Sequence, residues 1–144
     1  MRAVVDTNVV ISAAISPTGA PAHVMRRWRQ RHFTAIVSPD LLDEYRRALS
    51  YPHLQARHGV SDAELDGLIQ ALRAVATVVV PTQTLSIMQD DPSDNRVIEC
   101  AVAGEVPFIV SGDRHLRDLG TFEGIRVISP GAFVLLLNAN GVFG

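Results

Sequence analysis

The sequence predicts an α/β protein with three layers, in which helices flank both faces of a five-stranded parallel sheet. Short apolar runs such as residues 3–5 and 108–110 are typical of strands that are buried on both faces. These runs alternate with helix-like segments, which is the pattern of right-handed crossovers between parallel strands. A length of 144 residues with 47% apolar side chains fits one domain, residues 1–144.

The individual elements follow from local start and stop signals. Pro21 suits the first turn of a helix, and Ser38 followed by Pro39 is a strong helix start. Ser61 with Glu64 forms a capping box, and Pro52 predicts a turn. Strands are expected at residues 2–5, 34–37, 76–80, 107–111 and 125–128. Helices are expected at about residues 7–16, 21–32, 39–50, 61–74, 91–104, 115–119 and 131–137. No element is assigned to residues 82–89.

Composition limits the compartment and the class of protein. Cys100 is the single cysteine, so the chain has no internal disulfide and fits a reducing, cytoplasmic environment. Its place in an apolar helix pattern favours a buried, unreactive thiol. No apolar stretch approaches the ~20 residues of a membrane span. The net charge of −2 excludes a wholly basic nucleic-acid-binding surface.

All thirteen positively charged side chains are arginines, and several of them crowd one helix. Arg26, Arg27, Arg29 and Arg31 surround Trp28, an arrangement compatible with phosphate contact and base stacking. The alternative is a solvated helix face whose buried stripe consists of Val24, Trp28 and His32. The alternative is favoured for each single arginine, and a phosphate-bearing substrate remains credible for the cluster as a whole.

Four carboxylates stand at predicted element boundaries or on a predicted buried face. Asp6 and Asp113 each follow an apolar strand, and ligands collect at the carboxyl ends of parallel strands. Glu44 shares a helix face with Leu41, Tyr45 and Ala48 at i, i+3 and i+4 spacing. Asp94 begins the helix that carries Val97 and Ile98. Each acid also has a structural explanation: a helix cap for the three aspartates and a salt bridge with a buried arginine for Glu44.

Together the four acids favour a metal site over four separate caps. Clustered carboxylates repel one another unless a cation lies between them, and oxygen ligands select Mg²⁺ or Mn²⁺. Such cations stabilise charge that builds on phosphate oxygens, which makes phosphodiester hydrolysis the natural reaction class. The sequence has no P-loop, no Rossmann glycine fingerprint and no Gly-x-Ser-x-Gly motif. Two alternatives stay open: a binding module without catalysis, and a metal-dependent phosphomonoesterase.

These residues resemble the PIN-domain nucleases, particularly the toxins of toxin–antitoxin pairs. The matching motifs are residues 4–9 (Val-Val-Asp-Thr-Asn-Val), the helix after Ser38-Pro39 with Leu42, Glu44 and Tyr45, residues 91–95 (Asp-Pro-Ser-Asp-Asn) and residues 110–113 (Val-Ser-Gly-Asp). Their order and spacing agree across nearly the whole chain. The resemblance implies a PIN-like fold with a five-stranded parallel sheet.

The resemblance also implies a function and a set of site residues. It implies a Mg²⁺- or Mn²⁺-dependent endoribonuclease that acts on RNA, forms a homodimer and is inhibited by a separate protein antitoxin. The catalytic and metal-binding acids fall on Asp6, Glu44, Asp94 and Asp113. The supporting polar positions fall on Asn8, Ser111, Asp91 and Asn95. Because the chain has no lysine, Arg96 and Arg114 are the candidates for phosphate contact.

Overall fold

The sheet has six strands and is parallel except at one edge. The computed structural model describes residues 1–82, 84 and 92–140, without the side chains of residues 92–94. The strand order is β3-β2-β1-β4-β6-β5. The strands are β1 (Arg2–Val5), β2 (Thr34–Val37), β3 (Ala76–Val78), β4 (Phe108–Val110), β5 (Thr121–Phe122) and β6 (Ile125–Ile128).

Helices cover the sheet on both sides. In β1, at the centre of the sheet, Ala3, Val4 and Val5 are all fully buried. Because successive strand side chains point to opposite faces, their burial requires a layer on each face. The helices are α1 (Thr7–Ile15), α2 (Ala20–Arg29), α3 (Pro39–Leu49), α4 (Pro52–His58), α5 (Asp62–Ala74), α6 (Pro92–Gly104), α7 (Arg114–Asp118) and α8 (Pro130–Ala139). The predicted three-layer α/β class is therefore confirmed.

The five predicted strands all form and pair in parallel, but the sequence prediction missed a sixth strand, β5, which pairs antiparallel with β6 at one edge. The two strands are joined by Glu123 and Gly124, with φ angles of 49° and 81°. Positive φ at both central residues is the signature of a two-residue type I′ hairpin. The usual Asn-Gly or Asp-Gly pair is replaced here by Glu-Gly. Only the glycine is typical of this turn, so the sequence did not predict the hairpin.

Other boundaries also differ from the prediction, and helix α2 ends at Arg29 rather than at residue 32. Residues around Pro52 form the short helix α4 rather than a simple turn, with proline in its first turn and Gly59 in the left-handed conformation at its end (φ 68°). This proline–glycine pair is the normal start and stop of a helix. Strand β3 ends at Val78, two residues before the predicted end.

Close packing fixes α6 against the sheet. This helix contacts β1, β2 and β4 and also the neighbouring helix α3. At its end, a β-carbon added to Gly104 would lie 2.6 Å from Cγ2 of Ile36 in β2. Only glycine fits that distance, so Gly104 determines how near the end of α6 lies to the sheet. No helix in the described part of the chain is both long and apolar enough to cross a membrane.

Candidate active site at the carboxyl edge of the sheet

The ends of β1 and β4 bring Asp6 and Ser111 side by side. These strands pair in parallel with Val5 opposite Val110, and the ladder continues through a 2.9 Å hydrogen bond from Asp6 N to Val110 O. The next residue of each strand therefore lies at the same edge. Asp6 is 3% exposed and Ser111 is fully buried. A buried carboxylate at this edge needs polar partners.

Ser111 links the two aspartates that follow β1 and β4. Its hydroxyl donates to Oδ2 of Asp6 over 2.7 Å and accepts from the backbone N–H of Asp113 over 3.0 Å. One buried oxygen thus fixes the carboxylate of Asp6 and the backbone of Asp113 relative to each other. Strands β1 and β4 are neighbours, as the prediction requires, and Ser111 contacts the side chain of Asp6 and the backbone of Asp113.

Asp6 precedes α1 but does not cap it. The residue is in the N-cap position, yet its side chain makes no capping hydrogen bond. The carboxylate is directed to Ser111 instead, so the helix-cap explanation for Asp6 was wrong. An acid that leaves the adjacent helix N–H groups uncapped in order to face a buried hydroxyl is better explained by a role in a site.

Asp113 retains its structural explanation. Its Oδ1 accepts from the N–H of His115 over 2.9 Å and so caps α7. His115 itself is exposed. Asn8, the first supporting residue, accepts from the N–H of Gly112 through Oδ1 over 3.3 Å and joins the start of α1 to the same loop. The Asp113 carboxylate can serve both purposes because it offers about four lone-pair positions.

Glu44 lies on the buried face of α3 that its spacing predicted. Leu41 and Tyr45 are fully buried, and Glu44 is 7% exposed. Its carboxylate forms an ion pair with the guanidinium of Arg47, one turn along the helix. The predicted salt bridge therefore exists, but with an arginine whose side chain is 65% exposed. Such a partly solvated pair contributes little stability, so it does not by itself account for a buried glutamate.

Tyr45 positions this turn of α3 over the end of β1. Its hydroxyl donates to the backbone carbonyl of Val5, the residue before Asp6. Burial, with smaller contributions from Cys100 and Asp6, raises the pKa of Tyr45 well above its ordinary value. The hydroxyl therefore remains a neutral donor. Because Glu44 is the preceding residue, the same contact fixes the turn of α3 that carries Glu44 relative to the end of β1.

The start of α6 carries the remaining predicted residues. Asp91 lies outside the described residues, and the side chain of Asp94 does as well, although its backbone is part of α6. Asn95 is 4% exposed, as a supporting polar residue should be. One turn later Glu99 is equally buried and pairs with Arg96 over 2.6 Å. Glu99 was missed, although its i, i+4 spacing from Asn95 was a signal for a second polar residue on that face.

The donor atoms at this edge fit a hard cation. The side chains of Asp6, Asp113 and Ser111 offer only oxygen, the ligand that Mg²⁺ and Mn²⁺ prefer. Thr7 Oγ1, next to Asp6, is buried without a hydrogen-bond partner in the described part of the chain. Among the described side chains, no three acidic, histidine or cysteine residues lie close enough to hold a metal. Asp94, the fourth predicted acid, has its side chain outside the described residues.

The arginine cluster of α2 lies at the opposite edge of the sheet. It leads directly into β2, where Thr34 N donates to Met1 O at the start of β1 over 2.8 Å. Arg27 is buried and donates to Oδ1 of Asn138 near the end of α8. Val24 and Trp28 are fully buried, as the alternative of a solvated helix face predicts, but His32 lies beyond the end of α2 and Arg27 is buried rather than solvated. The cluster is therefore far from the acids at the carboxyl edge.

Arg96 and Arg114, the two candidates for phosphate contact, differ in whether an ion pair already engages them. Arg96 is engaged by Glu99. Arg114, directly after Asp113, is exposed, and no ion pair involves it among the described residues. Of the two candidates for phosphate contact, Arg114 is therefore the better placed.

Comparison with known proteins agrees with this geometry. Residues 2–115 match the family model of the PIN domain. The chain is 28% identical over 119 residues to the uncharacterized protein MJ1680 of Methanocaldococcus jannaschii, covering 83% of this chain and 75% of that protein. It is similar in fold to the crystal structure of PAE2754 from Pyrobaculum aerophilum, with a TM-score of 0.64 and 16% identity over 96% of this chain and 90% of the other.

The matched residues include the whole of the site described above, from Asp6 on β1 to Asp113 after β4. They also extend over four of the five parallel strands of the sheet. The chain therefore belongs to the PIN domain family, whose members are in general nucleases that use divalent metal ions.

Proposed function

We propose that this protein is a Mg²⁺- or Mn²⁺-dependent endoribonuclease whose acidic residues are Asp6, Glu44, Asp94 and Asp113. The observation that carries the proposal is the buried Ser111 hydroxyl, which joins the Asp6 carboxylate to the backbone of Asp113. An arrangement of this kind positions two acids that are 107 positions apart in the chain. Neither helix capping nor an ion pair needs such a link.

The proposed roles follow from the position of each side chain. Asp6, Asp94 and Asp113 would hold the cation, and Glu44 would orient the attacking water. When bound, the cation supplies charge stabilisation at the phosphate oxygens. Ser111 keeps the Asp6 carboxylate in place by hydrogen bonding, the usual task of a residue behind a metal ligand. Water adds to phosphorus as one P–O bond to the ribose breaks, and Arg114 is available for the phosphate charge.

The test uses substitutions that change charge with little change in shape. Asp6→Asn keeps an acceptor for the Ser111 hydroxyl, and Asp113→Asn keeps a good N-cap for α7. Each should abolish Mn²⁺-dependent cleavage of RNA while the circular dichroism spectrum stays that of the wild type. Asp43→Asn is the matched control, because Asp43 is exposed on α3 next to Glu44 in the sequence. This variant should cleave RNA at the wild-type rate. Undiminished cleavage by either site variant would refute the assignment.

A second candidate is a binding module without catalysis. It is favoured by the local bonds of two acids, since Glu44 pairs with Arg47 and Asp113 caps α7. Calorimetric titration with Mn²⁺ separates the two functions. Binding in the millimolar range or tighter that is lost in Asp6→Asn supports the nuclease, whereas no binding supports the module. Release of phosphate from small esters, without RNA fragments, would instead support the phosphomonoesterase.

The biological role that we propose is that of a toxin, paired with a protein antitoxin and acting as a homodimer in the cytoplasm. This part of the proposal is supported by the family alone. It predicts that expression of the wild type stops growth and that expression of Asp6→Asn does not. It also predicts a small neighbouring reading frame whose product binds this chain and relieves the arrest. Normal growth with active wild-type enzyme would favour a processing nuclease.

A further inference from the structure

An exposed aromatic pair lies on the surface at the start of α4. The rings of Tyr51 and His53 stack with centroids 6.2 Å apart and an interplanar angle of 19°. Tyr51 is 43% exposed, and it is the only exposed phenylalanine, tyrosine or tryptophan in the described part of the chain. Aromatic rings are normally withdrawn from water, as Trp28 and Tyr45 are here. An exposed stacked pair therefore needs an explanation other than core packing.

A single guanidinium connects this pair to the proposed active site. Arg47 forms the ion pair with Glu44, and Tyr51 follows Arg47 by one turn, where its N–H donates to Ala48 O over 3.2 Å. Glu44, Arg47 and Tyr51 thus stand at i, i+3 and i+7 spacing and form a line from the buried face of α3 to the exposed ring. Helix α4, which begins after Tyr51, also packs against α1, the helix that begins after Asp6. The aromatic pair is therefore connected to two elements that carry or adjoin proposed acids.

Arg47 keeps donors available for a ligand. A guanidinium has five N–H donors, and the ion pair with Glu44 uses Nη2. Its side chain is 65% exposed, so a phosphate can approach it from solvent. The arginine cluster of α2 cannot take this role because it lies at the opposite edge of the sheet. In the described part of the chain, Arg47 forms an ion pair with one of the proposed acids, Glu44.

A cation beside an exposed ring is the combination that binds single-stranded nucleic acid. The cation contacts the backbone phosphate, and the ring stacks on a base whatever its sequence. We propose that Tyr51 and His53 form a base-stacking subsite for single-stranded RNA, with Arg47 contacting the phosphate between the stacked base and the cleavage site. This inference rests on the proposed nuclease function and adds the residues that would hold the strand beside the cleavage site.

Fluorescence of 2-aminopurine tests the subsite without cleavage. A ten-nucleotide single-stranded RNA is labelled at one position at a time and titrated with protein in low-salt buffer that contains EDTA. Stacking on Tyr51 should quench the label at one or two positions with the wild type. Tyr51→Ala should lose this quenching and bind about tenfold more weakly. Tyr51→Phe and Tyr51→Trp should retain both, because a ring rather than a hydroxyl is needed.

Controls separate stacking from a general effect on the fold. Leu135→Ala removes another exposed apolar side chain, 69% exposed on α8, and should leave quenching and affinity unchanged. His53→Ala should weaken quenching less than Tyr51→Ala, since His53 supports the ring from one side. The proposed subsite would be refuted if Tyr51→Ala quenches the 2-aminopurine label as fully as the wild type does. It would also be refuted if the wild type quenches the label at no position.

A cleavage assay distinguishes failure of the subsite from failure of the proposed function. With Mn²⁺, Tyr51→Ala should raise KM for single-stranded RNA about tenfold and leave kcat nearly unchanged, because Tyr51 contributes to binding and not to the reacting atoms. If the wild type quenches the label but does not cleave RNA with any divalent cation tested, the proposed nuclease function is refuted and the stacking subsite is supported. Cleavage with an unchanged KM in Tyr51→Ala would refute the subsite and keep the nuclease.

Discussion

Ser111→Ala is the perturbation that probes the site most directly. The substitution removes one buried oxygen and with it two hydrogen bonds, of 2.7 Å to Asp6 and 3.0 Å to the N–H of Asp113. A hydrogen bond to a charged group contributes about 1.5–3 kcal/mol. We therefore expect a loss of about 2–3 kcal/mol in the free energy of unfolding. At about 2–4 °C per kcal/mol for a chain of this size, Tm should fall by about 5–10 °C.

The same substitution should lower activity more than stability alone requires. Loss of the hydrogen bond behind a metal ligand typically costs about 10- to 100-fold in metal affinity or rate. Thermal unfolding by circular dichroism gives the stability, and cleavage of single-stranded RNA over a range of Mn²⁺ concentrations gives the activity. The assay temperature must lie well below the lowest Tm, so that every variant is folded.

Two variants make the result specific. Ser129→Ala removes the hydroxyl that caps α8 with a 3.1 Å hydrogen bond, which should cost about 1 kcal/mol without loss of activity. Ser111→Thr keeps a hydroxyl at the site and should retain more activity than Ser111→Ala. The reasoning is refuted if Ser111→Ala cleaves like the wild type and is no less stable than Ser129→Ala.

Two further predictions concern the fold. Gly104→Ala should destabilise the protein by about 1–3 kcal/mol, because the new β-carbon would lie 2.6 Å from Ile36. Gly67→Ala in α5 would place a β-carbon with no atom within 4 Å and should stabilise the protein by up to about 1 kcal/mol. Equal free energies of unfolding for the two variants in denaturant would contradict this packing. Burial raises the pKa of the Cys100 thiol to about 12 from 9.0, so the folded state keeps the proton that the unfolded state loses. Stability should therefore decline as pH rises from about 9 towards 12, and a thiol reagent at pH 8 should label Cys100 only after unfolding.

Local signals in the sequence were sufficient for most elements. Ser38 accepts from Leu41 N and Ser61 forms its capping box with Glu64, as expected. The burial of Glu44 also followed from helical spacing. Such features depend on neighbours within one or two turns, which is why a single sequence reveals them. Helix α4 and the β5–β6 hairpin were missed because their signals, a proline and a Glu-Gly turn, are weaker versions of the usual ones.

Partner choice among polar side chains did not follow from the sequence. Asp6 and Asp113 occupy equivalent N-cap positions after parallel strands, yet Asp113 caps its helix and Asp6 does not. The difference depends on Ser111, which lies 105 residues from Asp6 and reaches it only because β1 and β4 are neighbours in the sheet. The ion pair of Glu44 with Arg47 shows the same limit. The i, i+3 spacing of the two residues permits the ion pair. The exposure of Arg47 depends on how α3 packs, which the spacing does not show.

The sequence by itself determined the α/β class, most of its strands and helices, and the candidate acids, because periodicity, caps and strand ends are local properties. The tertiary structure decided that Ser111 joins Asp6 to the backbone of Asp113, and that the arginine cluster lies at the opposite edge of the sheet. These are contacts between segments distant in the sequence. They depend on the register of the sheet and the close packing of the helices, which no local pattern encodes.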